Sequence, residues 1–129
     1  MEDFVNYEIA KKLKNLGFEE STYHYYNIDD IRYCRDDYPS DHNGDPLREF
    51  EISAPTISQV LKWLRKEKKL HIEFVGNACG YLYIVSDIPS EGGTDRYCSD
   101  YSGPNDGGTW DKYEDCALNA IQYVLDNLI

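Results

Sequence analysis

Cysteine, histidine and clustered carboxylates are the side chains with which a short chain could do chemistry. The 129 residues hold four cysteines (Cys34, Cys79, Cys98 and Cys116) and three histidines (His24, His42 and His71). Zinc knuckles and redox pairs need two cysteines in close C-x-x-C spacing, and no pair here has it. The histidines do not pair at helical spacing either. A Cys–His nucleophilic site assembles in space rather than in sequence, and nothing in the sequence selects one pairing over another. The plain alternative is free cysteine packed as a small apolar residue. The start, Met1-Glu2-Asp3-Phe4, lacks the positive and then apolar run of a secretory signal. The thiols are therefore expected to be reduced, in a cytoplasmic protein.

Asp41-His42-Asn43-Gly44-Asp45 resembles a calcium loop at first sight. An EF-hand needs Gly at its sixth position and Glu at its twelfth. With Gly44 sixth, the first position is Pro39 and the twelfth is Phe50, so that reading fails. An irregular calcium site is one alternative here and around Asp95, Asp100 and Asp106; an ordinary turn is the other, since Asp, Asn and Gly each favour turns. Phosphate loops, nucleophile elbows, zinc-protease motifs and dinucleotide fingerprints are missing. No cofactor or metal is expected.

Tyrosine is the compositional oddity, with 12 residues. Tyr81 and Tyr83 alternate with Leu82 and Ile84, so a strand here lines them along one side of a sheet. With Tyr97 and Tyr101 they form a candidate interaction surface, because Tyr gives contact area at low entropic cost and keeps a polar handle. The alternative is that a helix covers that side.

Lys and Arg total 13 against 24 Asp and Glu, a net charge of −11. Phosphate contacts require clustered cations, so direct nucleic-acid binding is not expected. Anionic membrane surfaces should repel the chain, and no apolar run approaches a membrane span. The acids concentrate in residues 19–53 and 76–129, each of which sums to −7. Lys62, Arg65, Lys66, Lys68 and Lys69 form the one basic segment. They read either as an anion-binding patch or as cations gathered at a helix C-terminus, where the dipole favours them.

Positioning these residues falls to three helices and the strands between them. Val5, Ile9, Leu13 and Leu16 share a stripe, with Asp3 as N-cap and Gly17-Phe18 as a Schellman ending. Thr56 and Gln59 form a capping box ahead of Ile57, Val60, Leu61 and Leu64, and this helix should end near Glu67. Asp111 and Glu114 repeat the box ahead of Ala117, Leu118, Ile121, Val124, Leu125 and Leu128. Leu70, Ile72 and Phe74 alternate with polar residues and turn through Gly76–Gly80 into Tyr81–Val85, a hairpin. Phe50 with Ile52, Tyr23–Ile28 and Ile31–Cys34 are further strands. One more strand is expected near Asp95–Tyr101, inside a turn-rich stretch that is long for a loop. The expectation is a single α+β domain over residues 1–129. It has an antiparallel sheet of four or five strands packed by helices at 3–17, 56–67 and 111–128.

Ser53-Ala54-Pro55-Thr56 leading into Lys62-Trp63-Leu64-Arg65, then a strand over His71–Val75, resembles a group of short uncharacterised proteins of phages and gut-type Bacteroidetes. So does the ending, Tyr113-Glu114-Asp115-Cys116-Ala117-Leu118. That group reads Y-E-x-A-L here, and this chain carries one residue more. The resemblance implies a mobile-element origin and a compact α+β fold, and it carries over no functional residue. The reading that follows is a small non-enzymatic protein-interaction module with a protein partner. The alternatives are a small enzyme with a Cys–His or carboxylate site, and an acidic inhibitor whose carboxylates mimic DNA phosphates.

Overall fold

A computed structural model of the chain describes residues 3–87, 95–98, 103–105 and 108–129; at 77 and 95–98 it describes the backbone alone. The fold is α+β, and the chain divides into two compact units, residues 1–59 and 60–129. Among the described residues six strands pair antiparallel in two three-stranded sheets, not in one sheet of four or five. The reason lies in the third strand, which is only three residues long and runs into Pro55, a residue with no N–H to extend a ladder.

In residues 1–59, helix α1 (Tyr7–Asn15) is followed by β1 (Thr22–Asn27), β2 (Arg32–Ser40) and β3 (Glu51–Ser53), with β1 in the middle of the sheet. The helix starts later than the sequence suggests. Asn6, not Asp3, is the N-cap, and its side chain accepts from Ile9 N at 2.9 Å. Gly17 takes φ +89°, and the Phe18 amide donates to the Leu13 carbonyl at 2.9 Å, which is the Schellman ending. Partners across a ladder share a face. Tyr26 stands opposite Tyr33 and Ile52, on the face that meets Phe4, Val5 and Tyr7. Tyr26 also donates its hydroxyl to the Val5 carbonyl at 2.9 Å. Tyr25 stands opposite Cys34 and Ser53, on the other face. Phe50 falls just outside β3 and is 54% exposed, whereas Ile52 is buried.

Helix α2 (Ile57–Trp63) opens on the expected box: Thr56 Oγ1 accepts from Gln59 N, and Gln59 Oε1 accepts from Thr56 N. Its α-helical part stops at Trp63. Leu64–Lys68 form a wider π turn, and Lys69 ends it at φ +56°. Lys68 finishes with its ammonium 5.5 Å from the Trp63 ring centroid.

In residues 60–129, β4 (Leu70–Asn77) and β5 (Gly80–Asp87) pair at every position, and β6 (Asp95–Cys98) adds to β5 where a strand was expected. Gly80 is required at the hairpin turn: its φ is +133°, and a Cβ there would meet the Trp110 carbonyl oxygen. Trp110 pairs through its backbone with Tyr81. Helix α3 (Tyr113–Asn127) packs on β4 and β5 and buries Cys116, Ala117, Ala120, Ile121, Val124 and Leu125. Its N-cap is Lys112, without a side-chain cap. Asp111 is engaged elsewhere, accepting from Asn105 Nδ2 at 2.6 Å.

Candidate functional site

Among the described residues the densest polar cluster lies in residues 1–59, on the Tyr25 face of the sheet. Its centre is His42, fully buried with 0% exposure. Several local devices bring its partners together. Between the pairs Thr22–Ser40 and His24–Arg35, β1 spends one residue and β2 spends four, and the irregularity carries Asp36. Asp45 accepts from Leu47 N at 2.9 Å and starts a short 3-10 helix (Pro46–Arg48) that aims Arg48 back at the sheet. Asn43 fastens the loop at both ends: Nδ2 donates to the Phe18 carbonyl at 2.7 Å, and Oδ1 accepts from Ser53 N at 2.9 Å. Glu51 is supplied by β3.

His42 Nδ1 lies 2.5 Å from Glu51 Oε1. Nε2 lies 3.2 Å from the Thr22 carbonyl and 3.3 Å from Asp36 Oδ2. Arg48 Nη1 donates to Asp36 Oδ2 and to Glu51 Oε1, both at 3.0 Å, and Arg48 Nε lies 3.5 Å from Asp45 Oδ2. The Tyr25 ring stacks on the imidazole at 4.5 Å. The hydrogen bond to Glu51 is the main reason the Arg48 guanidinium is held even more firmly protonated than usual. Burial, with Cys34, Glu51 and Asp36 nearby, raises the Tyr25 phenol above its ordinary value.

This arrangement holds backbone in place; a general base must reach its substrate, and the imidazole is closed off. The suggested calcium loop is an ordinary turn stitched by its own side chains. Asp41 Oδ1 accepts from Gly44 N, and Asn43 and Asp45 are engaged as above. Among the described residues no group of three His, Cys, Asp or Glu could hold a metal ion. Three carboxylates of the acidic segment 19–53, those of Asp36, Asp45 and Glu51, turn toward Arg48 rather than standing in an open row.

Among the described residues the other chemistry-bearing side chains are dispersed; the side chains of Asp95 and Cys98, and all of Asp100 and Asp106, lie outside them. Cys116 is buried, and burial pushes its thiol up to about 11, away from nucleophilic use. Cys34 donates weakly to the Arg32 carbonyl at 3.7 Å. Cys79 is exposed at the β4–β5 turn, in an open depression of about 530 Å³ that Tyr81 and Asp111 also line. His24 stacks on Tyr33 at 4.9 Å, its Nδ1 has no partner, and burial and Arg35 lower its proton affinity. Lys62, Arg65, Lys66 and Lys69 are exposed around the end of α2 and its π turn, the placement that the helix dipole favours.

The tyrosine surface needs correcting. Tyr83 is 1% exposed beneath α3, with its hydroxyl donating to Asn119 Oδ1 at 3.1 Å. Tyr81 is half-buried and meets Tyr113 edge-on at 5.9 Å. So a helix covers the side on which Tyr81 and Tyr83 stand. The side chain of Tyr97, and all of Tyr101, lie outside the described residues. Among the described residues most of the exposed large apolar side chains are elsewhere: Tyr23, Ile31, Tyr33, Tyr38, Leu47 and Phe50, with Leu47 at 92%, against Tyr113 and Ile129 in the second unit. Sequence reasoning passed over Leu47 because it sits beside a turn-forming stretch. It passed over the His42 cluster because that cluster has no period. A histidine flanked within a few residues by several acids and an arginine was the available signal.

No helix among the described residues is long and apolar enough to cross a membrane. Comparison of the chain with family models, with curated proteins and with solved structures gave no match.

Proposed function

We propose that this chain is a small, non-enzymatic protein-interaction module of the cytoplasm, of phage or mobile-element origin, which docks a protein partner through residues 23–50. One observation carries the reading. Of the eight large apolar side chains exposed among the described residues, six fall in this segment: Tyr23, Ile31, Tyr33, Tyr38, Leu47 and Phe50. Scattered exposed apolar residues need no explanation, whereas a concentration of them in one segment does. Leu47 stands out because both of its neighbours are fixed, Pro46 by its ring and Arg48 by the carboxylates. An apolar side chain on an ordered turn is pre-organised for docking, which lowers the entropic cost of binding. The free thiols of Cys34, Cys79 and Cys116 suit a reducing compartment.

The test is site-specific photo-crosslinking in cells that express the chain. A photoreactive phenylalanine analogue replaces Leu47 in one version and the exposed Asp126 in another. Discrete adducts from position 47 are expected, lost when Tyr38→Ser is added. Identical adduct patterns from the two positions refute the docking surface.

A further inference from the structure

The His42 ring has oxygen acceptors at both ends. We propose that His42 is a buried imidazolium whose second ring proton closes the clasp holding residues 41–50 to the sheet. Arg48 Nη1 carries two hydrogens. Asp36 Oδ2 and Glu51 Oε1, each 3.0 Å away, accept them. None remains for His42 Nδ1, although Nη1 is only 3.2 Å from it. Nδ1 faces Glu51 Oε1 at 2.5 Å, where two lone pairs would repel, so a proton lies between them. At the other end of the ring, Nε2 faces the Thr22 carbonyl and Asp36 Oδ2, which are both acceptors. Nε2 therefore carries hydrogen as well, and a ring with both protons is a cation.

His42 and Arg48 are then the two cations set against the carboxylates of Asp36, Glu51 and, behind Arg48, Asp45. A fully buried ring tolerates a charge only when it is paired and hydrogen-bonded, and both conditions are met. Every packed element contributes a group that faces the ring or its partners. From β1 come the stacked Tyr25 and the Thr22 carbonyl, and from the β2 irregularity comes Asp36. The 3-10 helix brings Arg48 with Asp45 behind it, and β3 brings Glu51, whose backbone carbonyl accepts from Lys14 Nζ of α1 at 3.0 Å. A ring with one proton would set an imidazole lone pair against an oxygen and leave three carboxylates facing Arg48 alone. That the clasp also governs docking at Leu47 rests on the proposed function; the clasp itself does not.

The experiment uses the full chain labelled with ¹⁵N and no partner. Imidazole N–H correlations are recorded on the native chain, and amide exchange over residues 41–50 is compared between the native chain and His42→Gln. Two slowly exchanging ring N–H protons on His42 are expected, that on Nδ1 shifted far downfield, while exposed His71 shows none. Amide protection over 41–50 should fall several-fold in His42→Gln, with protection in α1 unchanged. A single ring N–H on His42 overturns the proposal. So does unchanged protection over 41–50 in His42→Gln. The ring N–H readings on the native chain decide the matter even if His42→Gln does not fold. Failure of the crosslinking at position 47 leaves them untouched, and so separates the clasp from the docking surface.

Discussion

Both sheets of this protein are three-stranded and antiparallel, and each has an aromatic residue of its middle strand under cover, but the covers differ in kind. Over Tyr83 lies α3, fifteen residues whose apolar positions recur at helical spacing. It gives the tyrosine hydroxyl a neutral partner, Asn119. Over Tyr25 lies a turn-rich segment with no apolar period, and it grips the sheet through His42, Arg48, Asp36 and Glu51. A helix can bury surface by repetition, and area burial tolerates small displacements. A loop without such a stripe must name its partners individually, and each polar contact is directional and charge-dependent. The apolar side chains that the loop does carry, Leu47 and Phe50, are left facing outward.

If the covers differ in this way, they should fail differently. The largest loss is expected from Ile121→Ala beneath α3: about 3 kcal/mol in urea unfolding, the cost of a fully buried aliphatic truncation, and little changed by salt. Arg48→Gln should cost about 2 kcal/mol, because it strands Asp36 and Glu51 beside His42 in a partly buried site. Added salt should shrink the difference between this variant and the native chain. Cys116 provides a test of burial under α3 by pH. Its thiol is raised from 9.0 to about 11 in the fold, so the unfolded chain ionises first. The stability this contributes is complete below about 9 and is lost as pH rises toward about 11. Cys116→Ala should flatten that limb of the stability–pH curve. Thr56→Ala removes the α2 cap and should cost about 1 kcal/mol. Leu47→Ser should change stability by less than about 0.5 kcal/mol, since the side chain is in solvent, while abolishing partner adducts from a photoreactive residue placed at position 38.

Local signals were legible in the sequence and assembled ones were not. The stripe of α1 with its Gly17-Phe18 ending, the Thr56–Gln59 box and the β4–β5 hairpin each depend on residues a few positions apart. Periodicity and capping chemistry report such neighbours directly. Asp111 and Glu114 fit the same capping pattern, yet Asn105 claims Asp111, a contact that no local rule anticipates. The division into two sheets turned on how short β3 is, which alternation of Phe50 with Ile52 concealed. Asp36, His42, Arg48 and Glu51 are brought together by a strand irregularity and a 3-10 turn. Neither leaves a periodic trace. The choice between an open and a covered tyrosine strip depended on where α3 packs.

The four-against-one mismatch between β2 and β1 has a consequence for how this chain can change over time. The ladder resumes in register on either side of it, at Ser40 and at Arg35. A residue gained or lost between Asp37 and Pro39 would alter the length of an outward excursion and leave every paired position where it is. Tyr38, 66% exposed at that excursion, therefore occupies a place where new lengths and new side chains can be tried while the scaffold is inherited intact.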